Sequence, residues 1–140
     1  MTDFWSLITL DDTDDLYRLQ MKQQAIDDRV AAYGAFRLND DVVLEGRCSC
    51  DLCRIREGVE YHEIVNRERT RTDKEARRLS FAPEICSLLC DPCHKHIAST
   101  NSGREKLFRF NIALYGYFRV YSAFIAIPSQ FRSTIKMPDY

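Results

Sequence analysis

Cys50-Asp51-Leu52-Cys53 and Cys90-Asp91-Pro92-Cys93 are two C-x-x-C pairs separated by 36 residues, and their reading decides the fold. Two intervening residues let the backbone curl into a knuckle that presents both thiolates to one cation, with backbone amides hydrogen-bonded to the sulfurs. Two knuckles complete a closed tetrahedral site, so the spacing predicts a structural zinc ion on Cys50, Cys53, Cys90 and Cys93. The gap is longer than in a compact zinc ribbon, and the chain between the knuckles must therefore carry structure of its own. Cys48 offers an alternative to Cys50 as a ligand, while Cys86 reads as a small buried hydrophobe.

All six cysteines and all three histidines (His62, His94 and His96) fall between residues 48 and 96. That segment is one chemical unit. Around it the chain divides into an acidic N-terminal helical region, 1–46, a zinc module, 47–100, and a basic C-terminal helix and tail, 101–140, expected to form one compact domain. Residues 1–46 hold ten acids against four bases, a net of −6, whereas 101–140 hold six bases and two acids, a net of +4. The overall charge of −1 therefore says little about partners, because nucleic acid responds to a local positive stripe.

Residues 11–34 predict a helix capped by Asp12 or Thr13 and closed by Gly34. Its Leu16, Leu19, Gln23, Ile26, Val30 and Tyr33 share one stripe. Residues 102–127 predict a second helix, capped by Ser102 and stopped by Pro128. Leu107, Phe110, Leu114, Tyr117, Tyr121 and Phe124 repeat the same spacing there, with Phe108, Ile112, Tyr115 and Ile125 as a second flank. Matched stripes predict that the helices pack on each other or pair across a homodimer. Between them, 41–44 and 59–65 read as short strands and 66–78 as a loop or exposed helix, and the tail after Pro128 reads as a surface wrap.

The order C-x-x-C, then Tyr61-His62-Glu63-Ile64-Val65, then a variable loop, then Leu88-Leu89-Cys90-Asp91-Pro92-Cys93-His94 resembles the HNH nucleases. These are the treble-clef ββα-metal endonucleases, here in the four-cysteine zinc variant common among phage-borne members. The resemblance covers residues 47–100. It implies an α+β fold, a zinc-stapled treble-clef ββα module flanked by two longer helices, and a metal-dependent DNA endonuclease that hydrolyses phosphodiester bonds. On the matching positions His62 and His94 are ligands of a catalytic divalent ion, Mg2+, Mn2+ or Zn2+, and Glu63 is the general base. If the strand register slips by one residue, His62 becomes the base. The chain departs from the family pattern twice. The ligand one helical turn after His94 would fall on Ala98, with His96 off that face, and the family asparagine is replaced by Ile85, for which Asn66 substitutes only if the loop folds back.

After the candidate catalytic strand come Arg67, Arg69, Arg71, Lys74, Arg77 and Arg78. Guanidinium groups pair with phosphate oxygens, so Arg67, Arg69 and Arg71, with Lys95 of the second knuckle, are the expected DNA contacts. The plainer alternative is a solvated helix face of alternating charge. Trp5 and the tyrosines at 115, 117 and 121 sit at helical spacing and read as core. No phosphate loop, dinucleotide fingerprint or serine elbow is present, which leaves kinase, nucleotide-dependent oxidoreductase and α/β-hydrolase functions without support.

With 45% hydrophobic and 29% charged residues, the chain has the profile of a folded globular protein. No apolar run approaches the roughly 18 residues of a membrane span, and the N-terminus lacks a signal-peptide pattern. The expected location is the cytoplasm, the host's if the gene is phage-borne, where cysteines bind metals in preference to forming disulfides. The alternative function is a catalytically inactive zinc-stabilised module that binds nucleic acid or protein, with the acidic N-terminal helix as its docking surface.

Overall fold

The computed structural model describes residues 10–140. Helix α1 (Leu10–Tyr33) ends where Gly34 takes a φ of 86° and its N–H closes on the Val30 carbonyl at 2.8 Å, the left-handed stop that glycine makes without a steric penalty. A small antiparallel pair follows, β1 (Phe36–Arg37) with β2 (Val43–Leu44). After the first knuckle, β3 (Glu60–Glu63) pairs antiparallel with β4 (Cys86–Leu89), His62 opposite Ser87 and Tyr61 opposite Leu88. Two short helices lie between these strands, α2 (Arg67–Thr70) and α3 (Lys74–Leu79), each started by a side-chain cap, Asn66 and Asp73 respectively. The second knuckle opens α4 (Asp91–His96), which leads into α5 (Asn101–Tyr115) and α6 (Tyr117–Ala126). The class is α+β, as expected. Among the described residues no helix is long and apolar enough to cross a membrane.

The β3–β4 pair is the middle layer, and every residue of β4 is buried. One face, with Tyr61, Cys86 and Leu88, packs with Ala25 under α1. Leu89 on the other face joins the main core of Ile64, Val65, Ile85, Leu107, Phe108, Val120 and Phe124, which also encloses Cys50, Cys90 and Cys93. The tail is more than a wrap: Ile135 is buried in this same core.

The flanking helices differ from the expectation in two respects. The single helix over 102–127 is two helices, because Gly116 adopts φ 90° and ψ 149°, a backbone region essentially restricted to glycine. Helix α6 packs back on α5, with Phe108 and Phe124 edge to face at 5.4 Å. The cap of α5 is Thr100, whose hydroxyl accepts the Gly103 N–H at 2.9 Å, and not Ser102. The apolar stripes meet at Tyr33 and Phe110, whose ring centroids stand 5.7 Å apart, but not along their length: Leu16 and Leu19 of α1 are 50% and 56% exposed. Helix α1 instead turns Asp14, Ala25 and Arg29 inward, because its charged residues find partners there. Asp14 takes Arg77 and Arg78, Arg18 holds Glu63 at 2.6 Å, and Arg29 holds Asp51 at 2.9 Å. Tyr121, expected in the core, is exposed, and Trp5 lies outside the described residues.

The Arg29–Asp51 pair is almost fully removed from solvent, and truncating one member of such a pair strands the other charge at a cost of about 3–5 kcal/mol. Urea unfolding of zinc-saturated protein is therefore expected to show Asp51→Ala destabilised by about that amount. Leu19→Ser, on the apolar stripe of α1, is expected to stay within about 0.5 kcal/mol of the parent.

Candidate metal centre and active site

The first knuckle is shaped by its own backbone. Ser49 and Glu57 bridge across its base, the Cys50 N–H bonds the Arg56 carbonyl at 2.7 Å, and Arg54 takes a positive φ of 61° to complete the turn. Asp51 then fastens the knuckle to β4 twice: its N–H reaches the Leu88 carbonyl at 2.8 Å, and its carboxylate accepts the Leu88 N–H at 3.1 Å. At Gly58 the two pieces approach so closely that a Cβ would stand 2.9 Å from that of Leu88. The second knuckle is the first turn of α4, with the His94 N–H bonded to the Cys90 carbonyl at 3.0 Å.

These constraints bring the Sγ atoms of Cys50, Cys53, Cys90 and Cys93 within 4.8 Å of one another. Zinc–sulfur bonds of about 2.3 Å in a tetrahedron imply sulfur–sulfur edges of about 3.8 Å. Cys53 and Cys90 stand 3.8 Å apart. At Cys53 burial opposes ionisation, but the N–H groups of Arg56 and Ile55 outweigh it and bring the thiol down to about 6. Burial and the neighbouring cysteines push Cys93 up to about 12. Four thiolates this close repel one another unless a cation sits among them, so donor type and spacing both fit a structural metal such as zinc. Cys48 stands outside the cluster; burial and then the Asp51 carboxylate raise its thiol to about 11. Cys86 is fully buried and donates to the Ser80 carbonyl at 3.1 Å.

Beside this centre, strand alternation sorts the side chains of β3. Glu60 and His62 share the face toward α4, whereas Tyr61 and Glu63 share the face toward α1. The rings of His62 and His94 meet edge to face with centroids 5.1 Å apart, and His94 Nδ1 contacts the Glu60 carboxylate. Ser87, cross-strand from His62, carries a buried hydroxyl without a hydrogen-bond partner. Burial, then the charges of His94, Arg104 and Arg18, lower His62 to about 4, so its ring is neutral at pH 7.

Comparison with family models, curated proteins and solved structures finds no match.

The remaining site residues of the sequence reading fall in several places. Glu63 is bound by Arg18 on the face opposite His62. Ile85 is fully buried, and Asn66 caps α2, so neither supplies the family asparagine at the histidine pair. Ala98 is buried and His96 exposed. Arg67 and Arg71 are exposed and Arg69 half-buried. Arg67 lies 3.9 Å from Asp15, and Lys95 pairs with Asp91 at 3.1 Å. Among the described residues no second group of three metal-type donors is as tightly gathered as the cysteines. Sequence reasoning missed Glu60, although its position two residues before His62 on a strand was a sufficient signal.

The low proton affinity of His62 has a measurable consequence. In the unfolded chain the imidazole takes a proton near pH 6.5, in the folded protein only near 4, so the unfolded state binds more protons across that window. Folding stability must fall as pH falls through it. Between pH 7 and pH 5 the parent is expected to lose about 2 kcal/mol more than His62→Gln in parallel urea titrations, a comparison in which the pH response of the cysteine site cancels.

Proposed function

We propose that this protein is a metal-dependent DNA endonuclease of the HNH type, built on a zinc-clamped treble-clef ββα module. One observation carries the reading. The ring of His62, from the first strand of the hairpin, lies against that of His94, the residue directly after the last cysteine of the cluster and within the following helix. The order of knuckle, antiparallel pair, knuckle and helix supports it as well.

A bound divalent ion would polarise the scissile phosphate and neutralise charge on the leaving oxygen. His94 would hold it: with Nδ1 engaged by Glu60, the ring is oriented and Nε2 is left to serve as the ligand. His62, neutral at pH 7, takes the proton as water attacks phosphorus and the bond to the leaving oxygen breaks. Glu63 fits the base role less well than the sequence suggests, since Arg18 holds it on the opposite face. Arg67, Arg69 and Arg71 provide phosphate contacts on the segment that follows β3.

Supercoiled plasmid incubated with zinc-loaded protein and added magnesium, manganese or nickel tests the reading. Nicking or linearisation is expected, falling at least about 100-fold in both His62→Ala and His94→Ala while each variant keeps its zinc. Absence of cleavage with every ion would overturn it in favour of a catalytically silent zinc module.

A further inference from the structure

Helix α5 begins hard against the end of α4. A Cβ on Gly103 would lie 1.9 Å from the Ile97 carbonyl oxygen, and the Thr100 hydroxyl donates to that oxygen at 2.7 Å while capping α5. The Ile97 and Ala98 N–H groups both return to the Cys93 carbonyl at 3.0 Å. The turn from His94 to the first residues of α5, which carry Arg104, is thus fixed by short contacts.

Arg104 lines a groove of about 410 Å³ with Asn101, Thr134 and Lys136. Opposite α5 the groove wall is the C-terminal segment, held by buried Ile135, whose N–H bonds the Arg132 carbonyl at 3.0 Å. Arg104 is half-buried and reaches Asn101 Oδ1 at 3.1 Å. Among the described residues neither Arg104 nor Lys136 meets a carboxylate, and Glu105, the acid that lines the groove with them, is taken by Arg109 at 2.9 Å. Most cations near the hairpin are engaged otherwise: Arg18, Arg29, Arg77, Arg78 and Lys95 each pair with an acid. Two uncompensated cations on rigid walls, beside neutral hydrogen-bonding groups, fit an anion that is long and repeated in charge.

We propose that this groove is a phosphate subsite that seats the backbone of a nucleic-acid strand, with Arg104 and Lys136 as its two cationic contacts. The inference rests on the nuclease reading for its ligand and extends it to the groove between α5 and the C-terminal segment.

The test uses full-length zinc-loaded protein, a fluorescently labelled DNA duplex without added divalent ion, and anisotropy titrations over a range of salt. Arg104→Ala and Lys136→Ala are each expected to weaken binding several-fold. Each should also reduce the slope of log affinity against log salt by about 0.9, the value for one lost phosphate contact. Arg104→Lys should restore the slope, and Lys106→Ala, outside the groove, should bind as the parent does. Zinc content and far-ultraviolet circular dichroism certify the fold of each variant. An Arg104→Ala/Lys136→Ala protein that is folded yet binds with the parent's affinity and slope overturns the subsite, as does a parent that does not bind DNA. If the parent cleaves plasmid while the double variant binds unchanged, the subsite alone fails. If slopes fall as stated but nothing is cleaved, the nuclease reading alone fails.

Discussion

The buried pair of Arg29 and Asp51 ties the structure together. Removing a guanidinium and a carboxylate from water costs several kcal/mol per ion, and the cost is offset only if their hydrogen-bonding capacity is met. Here it is met by four different elements. Arg29 donates to Asp51, to the carbonyls of Ala25 and Cys86, and to Asn111 Oδ1, while Asp51 also accepts the Leu88 N–H. Asn111 returns a bond to the Cys86 carbonyl at 2.9 Å. Helix α1, the first knuckle, β4 and α5 therefore meet at one polar node. Asp51 is the residue after Cys50, so the node also fixes half of the cysteine cluster.

The β3–β4 pair then divides structure from chemistry by its two faces. Tyr61, Glu63, Cys86 and Leu88 are committed to α1 and its charged inward face. Glu60, His62 and Ser87 look the other way, toward α4. A metal on the four cysteines would join the knuckle beneath the hairpin to the first turn of α4, and so would set His94 against His62. In this arrangement the proposed reactive groups lie on the middle layer and on a helix clamped to it.

Much of this was legible in the sequence. The cysteine quartet, the strand around His62 and the glycine stop of α1 each follow from local chemistry at fixed spacing. The inward face of α1 was not legible. Asp14, Arg18 and Arg29 read as solvent-facing until Arg77, Arg78, Glu63 and Asp51 are known to stand opposite, and those partners lie at least 22 residues away in sequence. Periodicity of apolar residues therefore selected Leu16 and Leu19, which face solvent. The break at Gly116 had a signal, a glycine amid an apolar run, but intrinsic propensity tolerates one glycine in a helix at about 1 kcal/mol and gives no sign of a reversal. Glu63 and Glu60 changed places in importance for a similar reason: the motif identifies a carboxylate near His62, and only strand alternation says which one shares its face.

The cysteine cluster calls for a metal held by sulfur alone, and zinc-edge X-ray absorption on the purified full-length protein with one equivalent of zinc reads that directly. The prediction is a single first shell of four sulfurs at about 2.3 Å. A nitrogen or oxygen scatterer in that shell, or a protein that retains no zinc, would contradict it.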